Sequence, residues 1–73
     1  MIDIDYGNVK IYLKDLVEKE NISISKLSRL SGIQISQLKR YMEGNIQRVD
    51  LSVLSRLCFI LECEIGDILK YEK

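Results

Sequence analysis

The sequence predicts a single all-α domain, residues 1–73, built from five short helices. Three observations carry that expectation. Apolar residues return at three- and four-residue spacing through most of the chain, the period of a helix with one buried face. Residues suited to helix ends punctuate the pattern: Asn21, Ser23, Ser31-Gly32, Gly44-Asn45, Asp50 and Gly66-Asp67. A hydrophobic share of 47% over 73 residues suits one modest core.

Taken in order, residues 1–6 alternate Ile2, Ile4 and Tyr6 with Asp3 and Asp5, the period of a half-buried strand, and Gly7-Asn8 ends the alternation. This strand, in an N-terminal arm over 1–8, has no ladder partner within its own chain, so it is expected to fray or to pair with another element. The first helix is expected over 9–20, with Val9, Leu13, Leu16 and Val17 inward. Lys10, Lys14, Asp15, Glu18 and Lys19 share its outer side, where Lys14 and Glu18 stand one turn apart and are placed to pair. Asn21 tolerates the left-handed conformation that closes a helix.

Ser23 is expected to cap a short second helix by accepting a free backbone N–H. Ile24, Leu27 and Leu30 or Ser31 would face inward, and Gly32 would stop the helix. The apolar pattern resumes at Ile33, and a third helix follows with Leu38, Tyr41 and Met42 inward. Ser36, Lys39, Arg40 and Glu43, three and four apart, share its outer face. Asp50 caps a fourth helix that turns Leu51, Leu54, Leu57, Cys58 and Leu61 inward, with Val53, Phe59 and Ile60 widening the stripe. Gly66-Asp67 opens the last helix, where Ile65, Ile68 and Leu69 close the core from below.

Composition narrows the chemistry. No apolar run approaches the roughly 20 residues that span a bilayer, and the start lacks a basic lead and an apolar stretch, so a cytoplasmic protein is expected. Cys58 and Cys63 alone fall short of the about four ligands of a structural zinc site, and the chain has no histidine. No glycine-rich phosphate loop and no nucleophile with a recognisable partner is present. The expectation is no enzyme, no cofactor and no metal.

Net charge is zero, but its distribution is uneven. Residues 22–57 carry Lys26, Arg29, Lys39, Arg40, Arg48 and Arg56 against Glu43 and Asp50, a net +4, while the segments on either side are each −2. A basic middle between acidic ends is a pattern to examine for nucleic-acid contact.

The run Ile22-Ser23-Ile24-Ser25-Lys26-Leu27-Ser28-Arg29-Leu30-Ser31-Gly32-Ile33 is followed without a gap by Gln34-Ile35-Ser36-Gln37-Leu38-Lys39-Arg40-Tyr41-Met42-Glu43-Gly44-Asn45. Together they resemble the helix-turn-helix of Cro/CI-type repressors, the XRE family, with the unit itself over 24–43. Val49-Asp50-Leu51 and the run from Cys63 to Leu69 resemble the fourth and fifth helices of short members. The resemblance spans about residues 9–71 and implies a five-helix, lambda-repressor-like DNA-binding domain with a short N-terminal strand or arm. Gly32 supplies the tight link between the crossing helices, and Ser28 the small residue where they approach.

The resemblance also implies roles. Gln34, Ile35, Ser36 and Arg40, flanked by Gln37 and Lys39, fall where the third helix reads base edges in a major groove. Gln34 would pair with adenine, Arg40 with guanine, and Ile35 would pack on a thymine methyl. Ser23, Ile24 and Ser25 at the start of the second helix, and Asn45, Gln47 and Arg48 after the third, fall where phosphates are held. Two positions depart from the common pattern: Ile24 stands where many relatives have glutamine, and Gln34 where many have a capping serine. Both changes lower the expected affinity of a monomer. The implied partners are double-stranded DNA and a second copy of the chain; from its alternation, Ile2-Ile4-Tyr6 is the candidate intersubunit strand, packed against its symmetry mate or the last helix, the alternative being a disordered tail. The implied function is sequence-specific transcriptional regulation, as a repressor; the alternative is a protein-interaction module on the same fold, an antitoxin or dimerisation partner.

Overall fold

The computed structural model describes residues 4–73. Five helices are present: α1 (Leu13–Lys19), α2 (Ile24–Ser31), α3 (Ile35–Glu43), α4 (Leu51–Leu61) and α5 (Ile65–Ile68). Two short strands, β1 (Asn8–Ile11) and β2 (Leu69–Glu72), bracket them and pair antiparallel, with Val9 opposite Tyr71 and Ile11 opposite Leu69.

The helices start and stop where local chemistry allows. Ser23 accepts the Lys26 N–H at 3.1 Å, and the Asp50 carboxylate accepts the Ser52 and Val53 N–H groups at 2.8 and 3.3 Å. Asn21 has positive φ just past α1, as its side chain permits. At the start of α5 the Glu64 N–H is held by the Asp67 carboxylate at 2.9 Å, so the helix begins one residue ahead of Gly66.

Each helix drives one fully buried aliphatic side chain into a common core: Leu13, Leu27, Leu38, Leu57 and Ile68. Burial of each removes apolar surface worth roughly 1.5–3 kcal/mol from water. Val17, Ile33, Tyr41, Val53, Leu54 and Leu61 complete the cluster. Around it α2 packs against α3 and α4, and α1 against α3 and α5.

The N-terminal third departs from the sequence reading. The strand lies at Asn8–Ile11 rather than over 1–6, of which residues 1–3 fall outside the described residues and Ile4 to Tyr6 are not in a strand. The expected first helix therefore begins at Leu13, and Val9 is 64% exposed rather than inward. The reason is β2: Val9 and Ile11 alternate, Leu69 and Tyr71 alternate, and the two form a ladder inside one chain. Ile11 and Leu69 rest against the core, while Val9 and Tyr71 stand off it. The Tyr12 N–H donates to the Ile68 carbonyl at 2.7 Å, which fixes the start of α1 to the end of α5.

Four further residues expected inward are largely exposed: Leu30, Leu51, Phe59 and Ile65. At the end of α2 it is Ser31 that turns inward, the second of the two candidates there. On α4 the reason is angular: Phe59 follows the buried Leu57 by two residues, about 200° around the helix, and Leu51 stands about 120° from Leu57, so neither shares the buried side. Lys14 and Glu18 do not pair; the ion pair among the described residues joins Lys10 to Glu72 at 3.2 Å.

Candidate nucleic-acid interface

The turn between α2 and α3 is held by a small set of hydrogen bonds. Gly32 adopts the left-handed conformation, φ 72°, that a tight reversal requires. The Ser28 hydroxyl donates to the Ile33 carbonyl at 2.5 Å, so this residue is more than a small spacer. The Ser31 hydroxyl donates to the Ser28 carbonyl at 3.4 Å and accepts the buried Ile33 N–H at 3.1 Å. From α4, the Arg56 guanidinium reaches the Ser31 carbonyl at 3.2 Å. Leu27, Ile33 and Leu38 are buried on either side of this turn, so the α2–α3 angle is set by both packing and hydrogen bonding.

With its inner side committed to Leu38 and Tyr41, α3 presents its other side outward. Gln34, Ile35, Ser36, Lys39 and Arg40 are exposed, and Gln37 is half-buried. Among the described residues no hydrogen bond or ion pair engages the side chains of Gln34, Ser36, Gln37, Lys39 or Arg40. Gln34 occupies the N-cap position in extended conformation but makes no capping bond, which leaves its amide free. A row of unengaged polar side chains on a single helix is the arrangement that can enter a groove about 12 Å wide and meet base edges.

The supporting residues lie at both ends of this face. Ser23 and Ser25 are exposed at the N-terminus of α2, where Ile24 is half-buried against the core. Asn45, Gln47 and Arg48 are exposed in the loop after α3. That loop is anchored by the buried Tyr41, whose hydroxyl accepts the Asp50 N–H at 2.9 Å. One cleft, between α3 and the loop, brings Arg40 beside Arg48 together with Gln37. A second cleft gathers Lys39 and Ile24 with Lys14, Met42 and Glu43. Ser23 and Ser25 line neither cleft.

Two residues were not identified from the sequence. Lys14 joins Lys39 at the second cleft; its position on the polar side of α1 carried no signal of that neighbour. Arg56 anchors the α2–α3 turn from 25 residues away, a contact no local pattern announces.

A family model described as the Cro/C1-type HTH DNA-binding domain matches residues 2–73. An uncharacterized HTH-type transcriptional regulator of Bacillus subtilis strain 168, YozG, is 36% identical over 56 residues, covering 77% of this chain and 67% of that protein. A second protein of that strain, the SPbeta prophage-derived uncharacterized HTH-type transcriptional regulator YopS, is 30% identical over 74 residues, covering 99% of this chain and 95% of its own. The crystal structure of the transcriptional regulator VanUg superposes with a TM-score of 0.67 at 22% identity, over 97% of this chain and 96% of the other, a likeness of fold.

Proposed function

This chain belongs to the Cro/C1-type helix-turn-helix family and is a DNA-binding regulator; from that premise we propose that it reads sequence with α3 in the major groove and represses by occupying its site. The observation that supports this reading most is the outer face of α3, where the side chains best able to recognise bases are exposed and unengaged. Gln34, Ile35, Ser36, Gln37, Lys39 and Arg40 are the base-reading set. Ser23, Ile24, Ser25, Asn45, Gln47 and Arg48 hold the flanking phosphates: backbone N–H groups at the start of α2 on one side, Arg48 on the other. The family gives no reason to expect catalysis, and among the described residues no helix is long and apolar enough to cross a membrane. The protein acts where the DNA is, in the cytoplasm, without a cofactor.

The working form is a homodimer on paired half-sites about one turn of DNA apart. Ile24 in place of a phosphate-donating glutamine leaves one module with few contacts, and a second module compensates. The self-contact is made by the N-terminal arm and the outer half of the sheet, where Ile4, Tyr6, Val9 and Tyr71 are all more than half exposed. Deleting residues 1–7 and measuring mass in solution tests this: the deletion is expected to give a monomer, and an unchanged dimer would remove the arm from the interface.

A fluorescence-anisotropy titration on duplex DNA at two salt concentrations tests the DNA reading. Affinity is expected to fall as salt rises, with a slope near 0.9 for each phosphate neutralised. Binding that stays weak on every sequence at low salt would instead favour the protein-interaction module.

A further inference from the structure

The DNA reading leaves one apolar surface unused. On α4 and the end of α2, Phe59 is 85% exposed and Leu30 53%, and between them runs an open groove walled by Ile60, Cys58 and Cys63. It lies at the α2–α3 turn end of the unit, away from the Arg40–Arg48 cleft, and covers none of the outer face of α3. A monomer gains nothing by holding a phenyl ring in water, and a contiguous apolar patch rimmed by charge marks an interaction surface.

The charges around Phe59 indicate what covers it. Arg56 stands three residues before Phe59 on α4 and Glu62 three after it, just past the helix end, and all three line the groove. Glu62 caps α4 in the left-handed conformation, φ 50°, which fixes its direction. Arg56 is held at the rim by its bond to the Ser31 carbonyl, made through one guanidinium nitrogen, so other N–H groups remain to be used. No ion pair joins Arg56 to Glu62 among the described residues, and they are about 9 Å apart along the axis. A pattern that reads plus, aromatic, minus at equal spacing is complementary to itself when reversed. In a two-fold arrangement centred on Phe59, each Arg56 faces the other copy's Glu62 while the two rings meet on the axis.

We propose that this face docks a second copy of the chain, α4 antiparallel to α4, as a self-contact separate from the one made by the arm and sheet. The groove wall is suited to it: burial, with Cys58 beside it, pushes the Cys63 thiol up to about 11, so it stays neutral among the apolar residues. Five or six side chains bury less than the roughly 800 Å² per partner of a stable complex, so the contact is weak in solution. Because it leaves α3 free, it lets units seated on neighbouring DNA sites hold one another and bind cooperatively. The contact itself needs no DNA, and its failure is therefore distinguishable from failure of the DNA reading.

Sedimentation velocity of the full chain over a concentration series tests the proposal. The mass is expected to double at high concentration, from whatever unit the arm and sheet set. Phe59→Asp, at a position too exposed to disturb the core, is expected to abolish the doubling while the circular dichroism spectrum is unchanged. Glu62→Arg should weaken association at least tenfold, again with an unchanged circular dichroism spectrum. No doubling up to about 1 mM, a doubling insensitive to Phe59→Asp, or one insensitive to Glu62→Arg would each overturn it.

Discussion

Ser31 shows how much a single small residue can decide. Its hydroxyl donates to one carbonyl of the α2–α3 turn and accepts the N–H of Ile33, a residue only 3% exposed. Replacing it with alanine removes the acceptor and leaves a buried N–H without a partner, at a cost of about 1–3 kcal/mol. For a domain of this size, Ser31→Ala is expected to lower Tm by about 4–8 °C per kcal/mol, measured by thermal denaturation. Affinity for DNA should fall as well, because the same bond sets the entry of α3. An unchanged Tm would mean that the Gly32 turn and the packing of Leu27 and Leu38 hold the angle unaided. The roles of Gly32, Ser23 and Asp50 were all readable in the sequence, because a cap or a left-handed turn depends on its immediate neighbours. Those of Arg56 and Lys14 were not, because each works through a contact distant in the chain.

At the scale of elements, the two-stranded sheet is the part the sequence did not disclose. A strand needs a partner, and the partner of β1 lies some 60 residues away in β2. The alternation of Val9 with Ile11 was present, but helical spacing from Val9 through Val17 masked it. Glu72 adds side-chain contacts to this backbone ladder: it accepts a hydrogen bond from the Tyr12 hydroxyl and pairs with Lys10. Lys70 also lies over the Tyr12 ring, 5.2 Å from its centre. The Tyr12 hydrogen bond and then the Lys10 contact hold the Glu72 carboxyl below its ordinary value, and the same hydrogen bond raises that of Tyr12. A lowered carboxyl contributes stability above its unfolded value, near 4.3, and loses it as pH falls through the folded value. A raised phenol contributes below about 10 and loses it as pH rises. The sheet is therefore expected to be best held between about pH 5 and 10. Backbone amide resonances of Val9 and Tyr71 should move toward unpaired values as pH falls below 4, earlier than those of the core helices. If strand and core amides respond together, Glu72 has no special hold on the sheet.

For the whole molecule, the helical fold and its central unit were accessible from the sequence, since periodicity, turn residues and charge distribution all pointed one way. Which apolar residues would remain outside was not. Leu54 and Leu57 share one side of α4, whereas Phe59, two residues and about 200° past Leu57, points to the opposite side, and Leu51 stands at the edge about 120° from Leu57. The consequence is a chain with three exposed surfaces: the outer face of α3, the projecting half of the sheet, and the Phe59 groove. In our account the first reads DNA and the other two bring copies together. Neutral net charge suits that division, because attraction to DNA is confined to the middle segment and does not extend over the whole protein.

The central claim is that the outer face of α3 reads base sequence. Selection of bound duplexes from a random pool, followed by affinity measurements of wild type and Arg40→Ala on every single-base variant of the selected site, tests it most directly. The account predicts a defined site, and for Arg40→Ala a loss of about 1–3 kcal/mol with preference relaxed at one base pair of each half-site. No enriched sequence, or a uniform loss across all variants with preference intact, would contradict it.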